Sequence, residues 1–162
     1  MTEFNFLTTH VGSMPHKTLN GLTGYLHSLL DVPAWPQLPH RSFHESMYAQ
    51  YSPTLPAICE DAVQEKVYFN TSADITDALE AFYTPVLSDD VENFALHPDY
   101  AHGFFAMLET LRQTDGQWAK GQVTGPISFG LTVTYQDLRA SLYDDMLADA
   151  ITKNMSMNAR WQ

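Results

Sequence analysis

The sequence predicts an α/β fold in which short parallel strands alternate with amphipathic helices and run into glycine-bearing loops. Three observations predict it. Residues 118–124 alternate Ala119, Gly121 and Val123 with Lys120, Gln122 and Thr124, and then meet Gly125-Pro126. That corner ends a ladder, because proline has no N–H and glycine tolerates unusual backbone angles. The start of the chain repeats the design: residues 4–9 read as a strand and pass into His10-Val11-Gly12-Ser13-Met14-Pro15-His16. Elsewhere apolar residues recur at three- and four-residue spacing, the period of a helix. Alone, Gly125-Pro126 is an ordinary turn. Two strand-to-loop corners of one design mark a candidate site, because α/β proteins place ligands where strands end in polar loops.

In chain order, Thr18 reads as the cap of a helix carrying Leu19, Leu22, Leu26 and Leu29, weakened by Gly21 and Gly24. Residues 31–38 form a second, irregular strand, since each proline pushes the residue before it out of the helical region. Trp35 and Gln37, two apart, share a side of that strand. Residues 40–56, polar and aromatic, read as an ordered functional loop with one helical turn at 42–48. Residues 57–59 and 66–69 flank Glu60 to Glu65 as a hairpin standing outside the main layers. Thr71 or Ser72 caps a helix whose inner face is Ile75, Leu79, Phe82 and Val86. Pro98 opens another, with Ala101, Phe105, Leu108 and Leu111 inward and Asp115-Gly116 closing it. After a polar connection over 134–141, Asp144 and Asp145 start a last helix with Leu147, Ile151, Met155 and Asn158 in one row and Met146, Ala150, Met157 and Trp161 in the next.

Composition bounds the function. A chain of 162 residues with 44% hydrophobic residues is long and apolar enough for one domain, expected to span 1–162. Its net charge of −11 has the wrong sign for gripping phosphate backbones, so nucleic acid and anionic membrane surfaces are not expected partners. No stretch approaches the roughly 20 apolar residues of a membrane span, and Met1 to Leu7 does not resemble a signal peptide. The lone Cys59 excludes an internal disulfide and any Cys-x-x-Cys site, which fits a cytoplasmic location. His40 and His44 lack the His-Glu-x-x-His order of a zinc site and read as loop histidines, whereas His10 and His16 flank the Gly12-Ser13 loop as potential acids or donors.

Thr8 to His16, Asp31 to Pro39 and Lys120 to Pro126 together resemble, in order, the opening half of the catalytic barrel of cobalamin-independent methionine synthase. They are similar also to the wider uroporphyrinogen-decarboxylase-like group, which includes methylcobalamin:coenzyme M methyltransferases. The resemblance implies a partial (β/α)8 barrel, roughly its first half, with an added hairpin. It implies transfer of a methyl group from a folate or corrinoid donor to a thiol bound on zinc, since coordination removes the thiol proton and exposes a nucleophile. Family zinc ligands begin with a His-x-Cys pair on later strands. This chain has none, and Cys59 matches no ligand position, so no metal is carried over and the chain is expected to be an inactive N-terminal portion of such an enzyme.

Residue by residue, the family's Ile-Gly-Ser substrate loop falls on Val11, Gly12 and Ser13, with His16 beside it; its His-Gly-Glu falls on Trp35, Pro36 and Gln37, and Gly125 stands at the third corner. A neutral Gln37 can hydrogen-bond a substrate amine without neutralising it, which admits thiols other than homocysteine, or a methyl-corrinoid protein. The alternative is a non-catalytic half-barrel that binds a small ligand or pairs as a homodimer to cover its open sheet edges.

Overall fold

The computed structural model describes residues 6–72, 74–114 and 118–162. The chain divides into two compact units, each assembled from two stretches: residues up to 46 with 97–122, and residues 47–96 with 123–162. The predicted strand over 4–9 and the helix stop at Asp115-Gly116 fall partly or wholly outside the described residues.

In the first unit three extended stretches run parallel, yet among the described residues they meet only at the isolated bridges Thr9↔Val32, Ser13↔Gln37 and Ala34↔Lys120. Continuous strands fail here because side chains intercept the backbone groups that a ladder would use. Thr9 Oγ1 donates to the Val32 carbonyl at 2.7 Å, His10 Nδ1 accepts the Ala34 N–H at 3.3 Å, and the His10 carbonyl accepts from Lys120 Nζ. Pro33 and Pro36 remove two further donors from the middle stretch. Four backbone bonds survive: Val32 N–H to Thr8 O at 3.0 Å, and Gln37 N–H to Gly12 O, Met14 N–H to Gln37 O and Lys120 N–H to Pro33 O at 2.9 Å each.

Helices α1 (Leu22–Leu29) and α3 (His102–Arg112) belong to this unit and pack together, with Thr110 Oγ1 donating to Thr23 Oγ1 at 2.8 Å. Helix α1 begins after Gly21, whose left-handed φ of 77° turns the chain, rather than at a Thr18 cap. Leu22 and Leu26 are buried as predicted, but Leu29 is exposed. Of the predicted row Ala101, Phe105, Leu108 and Leu111 only Ala101, at the start of α3, is buried; the helix itself buries Gly103, Phe104 and Met107. The cause is Gly103: a Cβ there would lie 1.8 Å from the Pro36 carbonyl oxygen, so the helix presses its glycine onto that backbone and turns Phe104 against Trp35.

The second unit holds α2 (Thr76–Leu87), α4 (Pro126–Thr132), α5 (Asp145–Trp161) and a sheet of β1 (Ile58–Asp61), β2 (Lys66–Phe69) and β3 (Thr134–Tyr135). The hairpin forms where predicted, with Asp61 Oδ1 accepting the Val63 and Gln64 N–H groups in its turn. It does not stand outside the layers. Strand β2 pairs in parallel with β3, a stretch read from sequence as mere connection, and Phe69 is fully buried. Phe82, Phe94, Phe129, Leu147 and Ile151 are buried in the same unit.

The half-barrel is therefore overturned. The described residues form five helices and one small sheet of mixed pairing, without the succession of laddered parallel strands that half of a (β/α)8 barrel requires. Among them no helix is long and apolar enough to cross a membrane.

Candidate functional site

The bridge Ser13↔Gln37 brings together the first sequence-predicted corner and the end of the predicted second strand. Gly12 makes this possible, because its φ of 107° lies in a region that a side chain enters only with strain. Its carbonyl still accepts the Gln37 N–H, and the chain then turns so that Met14 returns a bond to the Gln37 carbonyl. Ser13 and His16 are exposed and Val11 is 83% exposed, so this loop offers a hydroxyl, an imidazole and backbone to solvent. His16 also rims a surface cleft of ≈ 240 Å³ with Thr18, Leu19, Asn20, Gly21, Leu22 and Tyr25.

Trp35 and Gln37 have different standing. Trp35 is 3% exposed and meets Phe104 edge-on at 5.8 Å, which makes it part of the core beneath the loop. Gln37 is buried as well, so it reaches the site from below, through its backbone bonds to the Gly12–Met14 turn. Gly125 lies in the second unit, exposed at the cap of α4, with an ordinary extended φ of −64°. Pro126 occupies the first turn of that helix, where its missing N–H costs nothing. Nearby in that unit, hydrogen bonds from Ser128 and Thr132 hold the Tyr48 hydroxyl below its ordinary pKa.

Three residues near the loop carry more of the geometry than sequence reasoning gave them. His10 accepts the Ala34 N–H at Nδ1, which places its proton on Nε2, and that nitrogen is buried with no hydrogen-bond partner among the described residues. Burial first, and then the Lys120 charge, push its pKa below the usual imidazole value, so the ring is neutral. Lys120 and Gln122 stand two apart on the third stretch and both donate to backbone of its neighbours, Lys120 to the His10 carbonyl and Gln122 Nε2 to the Trp35 carbonyl at 2.8 Å. The alternation of residues 118–124 is the signal that could have found them, since side chains two apart on an extended segment share a side.

The loop over 40–46 is ordered by a buried carboxylate. Glu45 is fully buried; it accepts the Leu38 N–H at 3.2 Å and a charge-assisted bond from Arg41. Burial raises its pKa, with Arg41, the Leu38 N–H and His102 opposing. Next to it His44 stacks on Tyr100 at 4.7 Å. The zinc implied by the resemblance finds no matching donor set here, because the described residues bring no three His, Cys, Asp or Glu side chains together as ligands, and Cys59 lies on β1 of the second unit. Comparison of the chain with family models, with curated proteins and with solved structures finds no match.

Proposed function

We propose that this chain holds a small amino-acid-like thiol at the Gly12–Ser13 loop, as the substrate side of a cytoplasmic methyl transfer of the methionine-synthase kind. The observation that supports the reading is the register of Ser13 against Gln37, with the Lys120–Gln122 stretch on the other side of residues 33–35. The first two of those stretches, and the third as far as Gln122, carry the resemblance and lie side by side in one unit. The Ser13 hydroxyl and the loop backbone then bind the amino-acid end of the ligand, with the exposed imidazole of His16 three residues on. A folate or corrinoid methyl donor and a zinc-bound thiolate would complete the reaction. The described residues do not fit the metal, so no transfer step is assigned to them.

The test is calorimetric titration of the full chain with L-homocysteine, L-cysteine and L-methionine, repeated on Ser13→Ala. Saturable binding of a thiol, weakened about tenfold by loss of the Ser13 hydroxyl, is the expected result, since one hydrogen bond is worth about 1 ± 0.5 kcal/mol. No saturable binding of any of the three sinks the reading.

A further inference from the structure

A glycine in a ligand loop ordinarily leaves room for the ligand. At Gly12 that room is already taken. A Cβ built there would lie 2.1 Å from Gln122 Oε1 and 2.7 Å from Gln122 Nε2, so the Gln122 carboxamide lies against the bare side of the glycine. The same carboxamide is anchored by its 2.8 Å bond to the Trp35 carbonyl, on the stretch that pairs with the Gly12 turn. From two residues earlier, Lys120 donates to the His10 carbonyl, just before the loop. The third stretch therefore braces the loop with two side chains rather than with a strand ladder.

We propose that Gln122 is a positioning residue for the Ser13 loop: wedged between Gly12 and the Trp35 carbonyl, it holds Gly12 left-handed and presents Ser13 to the ligand in one geometry. The inference rests on the ligand-binding reading above. Its physical content is preorganisation, since a loop already held in its bound shape loses less freedom when the ligand arrives. Gln122 itself need not touch the ligand.

Two variants of the full chain separate the bond from the bulk. Gln122→Ala removes the carboxamide altogether, whereas Gln122→Met keeps comparable length and volume and deletes the donor. L-Homocysteine affinity is measured by calorimetry, and amide hydrogen exchange is followed at Met14 and Gln37, whose N–H groups close the turn. Both variants are expected to bind about tenfold more weakly, the loss corresponding to about 1.4 kcal/mol. They should also exchange faster at Met14 and Gln37 while the amides of α5 stay protected, which a merely global loss of stability would not produce. If Gln122→Ala fails to fold, Gln122→Met decides. Wild-type binding that both variants retain overturns the proposal. If the wild-type chain binds no amino-acid thiol, the ligand reading itself has failed, and exchange alone judges Gln122: faster turn amides uphold its positioning role, and unchanged ones overturn it.

Discussion

His10 is held in a state that only a neutral imidazole can occupy. Its Nδ1 accepts from Ala34 and Lys120 is close by, so protonation would set donor against donor and add a second positive charge. The sign follows: an unfolded-chain histidine titrates near 6.5 and the folded pKa is lower, so His10 lends its full stability above about pH 6.5 and loses it as pH falls from there toward the folded value. Urea unfolding at about pH 7.5 and about pH 5.5 tests this against His10→Asn, whose amide oxygen can replace Nδ1 as acceptor. Wild type should lose more stability on acidification than the variant, and equal losses would assign the effect to other groups. At this scale the sequence was legible where one residue type carries the constraint. Gly12 and Ser13 could be picked out because a loop needs such residues; Gln122 could not, because its role comes from where a flexible side chain packs.

Helix α5 shows how well an element can be read when its signals are local. Leu147, Ile151, Met155 and Asn158 are all buried, as their spacing predicts, and Asp144 caps the helix with Oδ1 on the Met146 and Leu147 N–H groups at 3.0 and 3.1 Å. Burial raises the Asp144 pKa, but the Tyr135 hydroxyl and those two N–H groups outweigh it and hold the carboxyl below its usual range. Asp144→Ala should lower stability by about 1–2 kcal/mol in urea unfolding, with Asp144→Asn largely retaining it because asparagine also caps. A silent Ala variant would mean that the cap contributes nothing. In contrast, α3 is rotated from its predicted face and α4 was not foreseen at all, although Pro126 at its first turn was a usable sign. Helical period limits which residues share a face; which face turns inward depends on a neighbour, here the Pro36 carbonyl beneath Gly103.

For the whole chain, a net charge of −11 opposes compaction through self-repulsion. Raising salt from about 10 mM to about 150 mM shortens the screening length from about 30 Å to about 8 Å. Scanning calorimetry should therefore show Tm rising by about 2–4 °C, the shift that roughly 1 kcal/mol produces at this size; a constant or falling Tm would remove charge repulsion as a limit on stability. By itself the sequence determined the acidic character, the hairpin, the Asp144 cap and buried row of α5, and the glycine-bearing turn at Gly12. These are set by covalent geometry, by hydrogen bonds within a few residues and by net charge. Only the tertiary structure decided that the three parallel stretches meet at single bridges instead of forming half a barrel, and that the one sheet lies in the other unit. The reason is competition for backbone groups: Thr9, His10 and Lys120 take the partners that a ladder would use, and an outcome between long-range partners is not written in any one stretch of chain.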